Sequence, residues 1–273
     1  MRVVMQSKND GRSVIKPTQI KVLVTLYKYR FGSRQLIAES LNANPDTMYR
    51  KLLVLIKHGL VAMRLEKRSK LYGIPAAYYL TPKGLKFLQS LPDYSYIDDA
   101  IIKSSYRDRS VSESTVLHSL AVFKQILALK RQYPPLKAFL RRDIARFNYF
   151  PSTSPNAFLS LSNDSATNRY FFDYIPSSLE RKAFYQRVSA YIDFFDKGGW
   201  DVTNTELPIL LYVAENSSTE HRIKRLVKGA VSQADSDIDL TVLTTTKRAI
   251  EQSDSQTLIW TDVNDPDELI ALM

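Results

Sequence analysis

Apolar residues recur at spacings of three and four along the first sixty positions, which predicts three helices. The first helix has Thr18 as its expected cap. Its apolar face is formed by Ile20, Val22, Leu23, Leu26 and Tyr27. After a break at Phe31 and Gly32, Ser33 is expected to cap a short second helix, SRQLIAESL. Both helices are therefore expected to bury one side in a small core.

The third helix, in the stretch NPDTMYRKLLVLIKHGLV, has the clearest boundary signals. Asn44 is the expected cap, Pro45 takes the first helical position, where a missing N–H costs nothing, and Asp46 lies near the positive helix end. The apolar side is formed by Met48, Leu52, Leu55 and Ile56. The opposite side is formed by Asp46, Thr47, Tyr49, Arg50, Lys51, Val54 and Lys57.

The pattern then changes to short strands. Residues 61–66 and 76–80 are predicted strands, joined by a loop that contains Lys67, Arg68 and Lys70. The sequence TPKG then begins a further helix, whose leucines and phenylalanine are available to close the core. Three helices, a basic hairpin and a closing helix predict a winged helix-turn-helix over residues 1–91.

The rest of the chain has a different organisation. Residues 92–112 have no clear amphipathic period and are predicted to be a connector. Beyond them strands alternate with helices, which indicates an α/β domain over residues 113–273. The predicted helices span 113–133, 178–196 (capped by Ser178) and 219–233, and the predicted strands span 157–162, 169–175, 207–214, 238–243 and 258–260. The predicted fold class is therefore α+β.

Charge divides the chain in the same place. Residues 1–91 hold 17 lysine and arginine residues against four acids, a net charge of +13, whereas residues 92–273 hold 21 against 24, a net charge of −3. This asymmetry is typical of a nucleic-acid-binding module joined to a domain with another task. The alternative is a solubilising surface, although such surfaces usually mix both signs.

A DNA major groove admits one α-helix, whose exposed side chains read base edges while nearby cations contact phosphates. We expect Arg50 to read a guanine edge, Lys51 and Lys57 to contact phosphate, and the hairpin cations to lie over the adjoining backbone or minor groove. The expected double-stranded DNA-binding residues are Arg34, Thr47, Tyr49, Arg50, Lys51, Lys57, Arg64, Lys67, Arg68 and Lys70. A protein–protein module is the alternative for this domain.

Composition excludes several chemistries. The chain has no cysteine, and its three histidines, His58, His118 and His221, lack metal-ligand spacing. Eight glycines leave little room for a phosphate-binding loop. The first residues lack the apolar core of a secretory signal, and no segment approaches the roughly 20 apolar residues that cross a membrane. We therefore expect a cytoplasmic protein without cofactor, metal or membrane partner.

Three stretches of the chain carry a family resemblance, in this order: TQIKVLVTLYKYRFGSRQLIAESL, PDTMYRKLLVLIKHGLV and AYYLTPKGLKFL. With them the chain resembles the replication-relaxation family, winged-helix proteins encoded with plasmid and integrative-element transfer functions. In that family a helix with a His-x-Leu follows the wing domain, and His118-Ser119-Leu120 fits this feature. The resemblance spans most of residues 17–228. It implies an accessory role in mobilisation.

The second half resembles the core of the restriction-endonuclease-like fold, which this family is thought to share in degenerate form. The active version needs Pro-Asp followed by Asp/Glu-x-Lys, because its acids hold a divalent cation and its lysine helps to activate water. The corresponding positions here are Asn156, Asp173 and Ile175, with Asp143 as the one further acid upstream. We therefore expect a non-catalytic scaffold, in which Asp173 is bonded to neighbouring backbone or to Arg187 rather than to a metal.

Together these features predict a sequence-specific DNA-binding accessory protein of conjugative or mobilisable element transfer. The winged helix would recognise the origin-of-transfer region, and the near-neutral α/β domain would bind the relaxase, another transfer protein or a second copy of the chain rather than DNA. One alternative is a transcriptional regulator whose second domain dimerises or senses a ligand. Another is an active nuclease with an unrecognised site.

Overall fold

The computed structural model describes residues 15–65, 73–163, 166–234, 238–253 and 257–272. The chain divides into two compact units, Met1–Phe123 and Lys124–Met273. Both units combine helices with one sheet, so the expected α+β class is confirmed at this level. No helix in the described ranges is both long enough and apolar enough to cross a membrane.

The first unit begins with short helices and strands in alternation. In chain order they are α1 (Pro17–Tyr29), β1 (Phe31–Ser33), α2 (Arg34–Ser40), α3 (Pro45–Lys57), β2 (Val61–Arg64), β3 (Ala77–Leu80) and α4 (Pro82–Gln89). β3 is the central strand of a three-stranded sheet and pairs antiparallel with both β1 and β2. The sequence predicts every one of these elements except β1, which has only three residues.

Local signals fix the ends of α3 as predicted. The side chain of Asn44 accepts hydrogen bonds from the N–H groups of Asp46 and Thr47, and Gly59 follows the helix with a φ of +69°, which favours glycine. The prediction that Thr18 caps α1 is wrong. Lys16 holds that position instead, because Pro17 lacks an N–H and therefore fits the first helical turn.

A close backbone contact joins the end of α3 to the start of α4. Thr81 caps α4 by accepting from the N–H of Gly84 at 3.0 Å, and it donates to the carbonyl of Gly59 at 2.7 Å. A Cβ atom on Gly84 would lie 2.1 Å from the carbonyl oxygen of Leu60. Glycine is therefore required where the two segments approach.

Residues 92–112, predicted as a connector, form part of the first unit. They contain the short helix α5 (Asp99–Ser105) and 3-10 turns at Pro92–Tyr94 and Tyr106–Arg109, and they lead into α6 (Glu113–Gln132). The first turns of α6 complete the core of the first unit. Val116 and Leu120 pack with Phe31, Ala77 and Tyr79, and the ring of Phe123 stacks on Tyr29 at 3.6 Å. The boundary drawn at residue 91 therefore differs from the structural boundary at 123.

Two arginines fasten this segment to the elements that precede it. Arg30, at the end of α1, has a φ of +67° and donates from Nε and Nη2 to one carboxylate oxygen of Asp108, at 2.9 and 2.8 Å. Arg64 on β2 donates to the carbonyl of Val111 at 2.7 Å. These contacts hold residues 106–111 in place although their sequence has no helical period.

The second unit contains the remainder of α6 and a six-stranded sheet. Its other elements are β4 (Lys137–Leu140), α7 (Arg141–Ile144), β5 (Ala157–Ser162), β6 (Thr167–Ile175), α8 (Arg181–Asp196), β7 (Ile209–Ala214), α9 (Ser217–Gln233), β8 (Val242–Thr246), α10 (Lys247–Gln252) and β9 (Thr261–Asp262). The strands lie in the order β4-β5-β6-β7-β8-β9. β6, β7 and β8 are parallel, and the other pairs are antiparallel.

The long elements of this unit agree with the sequence, and the short ones do not. The β5–β6 hairpin, α6, α8, β7 and α9 are confirmed, whereas β4, α7 and α10 were not predicted. Ser178 does not cap α8, which begins at Arg181 with Glu180 before it. The last two strands begin four and three residues later than predicted, at Val242 and Thr261.

Candidate nucleic-acid interface

The side of α3 that faces away from the core is exposed along its first two turns. Met48, Leu52 and Leu55 are fully buried, whereas Thr47, Tyr49 and Arg50 are exposed. Arg50 makes no hydrogen bond or ion pair with any residue in the described ranges. Its five N–H donors are therefore available to a ligand.

Arg34, at the start of α2, lies beside the first turn of α3. Its guanidinium carbon is 5.8 Å from the centre of the Tyr49 ring, and its Nη1 is 3.4 Å from a carboxylate oxygen of Asp46. Burial raises the pKa of Tyr78 on β3, and the positive charge of Arg34 lowers it in part. The Tyr49 ring and the Asp46 carboxylate therefore position this cation at the amino-terminal end of α3.

The two lysines predicted on α3 differ in exposure. Lys57, in the last turn, is exposed, and Lys51 is half-buried. Both follow Arg50 along the helix, so cations extend from its second turn to its last. This arrangement suits phosphate contacts by the lysines next to a base-reading Arg50.

Apolar side chains are also exposed on α3 and along β2, and of these the sequence predicted only Val54 to face away from the core. Leu53 and Met63 have exposed fractions of 46% and 48%, and Val54 and Leu65 are also exposed. In the sequence, Leu53 falls inside the continuous apolar run LLVLI, so periodicity does not separate it from the core. Exposed apolar side chains beside arginine can contact thymine methyl groups.

Of the four cations predicted on the hairpin, the structure describes only Arg64. Arg64 is half-buried and donates to the backbone of residues 108–111, so its guanidinium supports the fold of the first unit. Lys67, Arg68 and Lys70 lie outside the described residues. Their predicted contact with DNA stays a prediction.

The nuclease-like positions of the second unit contain a buried ion pair. Asp173 on β6 is 1% exposed, and its carboxylate accepts from Arg187 at 3.0 and 3.1 Å. It also accepts from the hydroxyl of Tyr191 and the backbone N–H of Asn156, both at 3.0 Å. The pairing with Arg187 that the sequence favours over metal binding is present.

The other nuclease-like residues are also used locally. The side-chain oxygen of Asn156 accepts from the N–H of Tyr174, and the carboxylate of Asp143 accepts from the N–H of Leu140. Ile175 lies in the hydrophobic core. Within the described ranges, no group of three or more histidine, aspartate or glutamate side chains is placed to hold a metal ion.

Electrostatics keep the two side-chain donors that face Asp173, Arg187 and Tyr191, protonated. The carboxylate of Asp173 raises the pKa of Arg187, so the guanidinium stays charged. Burial, with the same carboxylate as a second cause, raises the pKa of Tyr191 well above its ordinary value, so its hydroxyl stays a donor. Both carboxylate oxygens are therefore satisfied by donors of the protein itself.

The chain belongs to the replication-relaxation family, whose model matches residues 23–202. No curated protein sequence matches it. Among solved structures it is similar to restriction endonuclease FokI, with a TM-score of 0.34 and 11% identity over 85% of this chain and 42% of that one. FokI bound to DNA gives a TM-score of 0.31 and 10% identity over 85% and 43%. The chain thus spans less than half the length of either.

Proposed function

We propose that this protein binds double-stranded DNA through a winged helix-turn-helix in its first unit, with α3 as the recognition helix. The observation that supports this most is the exposed amino-terminal half of α3, where Arg50 has free donors and Arg34 is held nearby. β2 and β3 follow α3 as a two-stranded hairpin. The +13 net charge of residues 1–91 would attract the DNA backbone.

We further propose that the bound DNA is the origin-of-transfer region of a mobile element and that the protein assists a relaxase. Membership of the replication-relaxation family supports a role in replication or mobilisation. The second unit would bind the relaxase, or a second copy of the chain, without catalysis. The donors that surround Asp173 support this last point, because they occupy the oxygens that a catalytic cation needs.

The recognition helix is tested with Arg50→Ala and fluorescence anisotropy on a DNA site selected from the element's origin region. Loss of a two-pronged contact to guanine should cost about 1–3 kcal/mol at that site and relax its sequence preference. Arg107→Ala is the matched control, because Arg107 is exposed in the same unit but lies outside α3. Equal effects of the two substitutions would contradict the assignment.

The location of the selected site separates the accessory role from transcriptional regulation. A site beside the nick sequence supports the role in transfer, whereas a palindrome that overlaps a promoter supports a regulator. Pull-down of the relaxase by the full chain, but not by a chain truncated after Phe123, would support partner binding by the second unit.

The non-catalytic role is tested by incubating the protein with supercoiled and linear DNA in magnesium or manganese. We expect both DNA forms to stay intact, because Arg187 already neutralises Asp173. Reproducible cleavage that Asp173→Ala abolishes would overturn this part of the proposal. Gel electrophoresis of the DNA is sufficient to measure it.

A further inference from the structure

A cavity of about 270 Å³ lies in the second unit, next to the carboxyl ends of β6 and β7. These strands are parallel neighbours, so both end at the same edge of the sheet, at Ile175 and Ala214. The chain then continues into α8 and α9 respectively. The residues that follow the two strands therefore lie at this one edge of the sheet.

Three arginines line the cavity: Arg181 in the first turn of α8, and Arg222 and Arg225 on α9. Arg222 donates to the carbonyl of Ser177 at 3.2 Å, which fixes its guanidinium at the cavity wall. Arg181 and Arg225 are exposed and make no hydrogen bond or ion pair with any residue in the described ranges. Three like charges around one concavity repel one another, and no described contact of the fold compensates them.

An acid that follows β7, Glu215, is engaged by donors of the protein itself. One of its oxygens accepts from the hydroxyl and the N–H of Ser177, at 2.6 and 2.8 Å. The other oxygen is 3.4 Å from Nζ of Lys247. The hydrogen bond from the Ser177 hydroxyl is the main cause that holds the pKa of Glu215 below its ordinary value. The positive charge of Lys247 also lowers this pKa and offsets the charge of the Glu215 carboxylate. Among the described residues that line the cavity none is acidic.

The rest of the lining suits an oxyanion. Ser218 contributes a hydroxyl-bearing side chain to the wall and lies in the first turn of α9, a helix of 17 residues whose positive end adds partial charge. The hydroxyl of Ser177, which also lines the cavity, already donates to Glu215. Guanidinium groups bind phosphate with two parallel N–H donors. The arginines, the hydroxyl of Ser218 and the helix end therefore favour an oxyanion such as phosphate over an apolar or cationic ligand.

We propose that this cavity binds a backbone phosphate of DNA, which makes the second unit a second DNA contact. Most of the lining side chains are exposed, so a phosphate that belongs to a long polymer can enter without closure of the cavity. This inference goes beyond the proposed function, which assigns DNA to the first unit and a protein partner to the second. It also differs from the expectation that the near-neutral α/β domain binds no DNA.

The test compares two double variants of the full chain. Arg181→Ala with Arg225→Ala removes the two arginines without described partners. Lys182→Ala with Lys228→Ala removes the same charge from exposed positions on the same two helices, away from the cavity lining. Affinity for a DNA duplex is measured by fluorescence anisotropy between 50 and 200 mM salt. Tryptophan fluorescence during thermal unfolding verifies that both variants fold.

We expect the arginine variant to reduce the slope of log K against log salt by about 0.9, the value for one lost phosphate contact, and the lysine variant to leave it nearly unchanged. Equal slopes for the two variants, or a wild-type slope in the arginine variant, would overturn the proposal. If inorganic phosphate raises the melting temperature of the wild type but not of the arginine variant while the DNA slope stays constant, the cavity binds a small phosphate instead, which also overturns it.

The same measurements separate this inference from the proposed function. A normal slope in the arginine variant combined with a loss of affinity in Arg50→Ala refutes only the second contact. A chain that does not bind DNA refutes both. Loss of slope in the arginine variant with no effect of Arg50→Ala would support the cavity and contradict the recognition helix.

Discussion

Each unit contains an arginine–aspartate pair near its candidate site, and the two pairs differ in burial. In the first unit Arg34 and Asp46 are 3.4 Å apart, with side chains 37% and 79% exposed. In the second unit Arg187 and Asp173 are 3.0 Å apart, with side chains 24% and 2% exposed. The first pair leaves both charges accessible to a ligand. The second pair satisfies its own charges inside the protein.

Burial also decides what each pair contributes to stability. An exposed pair is worth about 0–1 kcal/mol, because water screens it, whereas loss of one partner from a buried pair costs about 3–5 kcal/mol. A third pair, Arg30 and Asp108 in the first unit, is intermediate, with side chains 38% and 3% exposed. The three pairs therefore form a series in which the effect of a substitution should follow burial.

The largest effect is expected for Arg187→Met, which leaves the buried carboxylate of Asp173 without a countercharge. The free energy of unfolding should fall by about 3–5 kcal/mol. Urea unfolding followed by tryptophan fluorescence measures it, because both tryptophans, Trp200 and Trp260, lie in the second unit.

Two further variants sharpen this measurement. Lys182→Met, an exposed position on the same helix, should change stability by less than about 0.5 kcal/mol. Adding Asp173→Asn to Arg187→Met should restore part of the loss, since it removes the buried charge. A loss below about 1 kcal/mol for Arg187→Met would show that water or a shifted side chain compensates Asp173.

An intermediate effect is expected for Arg30→Met, which removes two charge-assisted hydrogen bonds between α1 and Asp108. The loss should be about 1.5–3 kcal/mol in the transition of the first unit, which is the part of the helical circular dichroism change that does not coincide with the tryptophan fluorescence transition. The tryptophan fluorescence transition should stay constant, because it reports on the other unit. Arg107→Met, exposed in the same segment, is the control. An equal shift of both transitions would mean that the two units unfold together.

The smallest effect on stability is expected for Asp46→Ala, with a change of less than about 1 kcal/mol. DNA affinity should rise at low salt, because the substitution removes a negative charge from the proposed DNA-facing surface and releases Arg34. The gain should disappear at high salt. Asp93→Ala, an exposed acid outside this surface, should give no gain. Unchanged affinity in Asp46→Ala would place the DNA contact elsewhere than the start of α3.

The best-predicted features of this protein are those that neighbouring residues fix. The cap at Asn44, the proline that follows it and the glycine after α3 act over a few residues, so the bounds of that helix are readable from the sequence. The same holds for the long strands and helices of the second unit. The pairing of Asp173 with Arg187 was also among the expectations, because a buried acid requires a partner.

The sequence by itself determined the α+β class, the concentration of positive charge in the first third and the exposed polar side of α3. Only the tertiary structure decided that residues 92–123 complete the first unit, that Arg64 is used by the fold, and that Arg181 shares a cavity with Arg222 and Arg225. The physical reason is range. Caps and periodicity act within one or two helical turns, whereas burial and strand pairing join residues separated by forty or more positions, which no local pattern specifies.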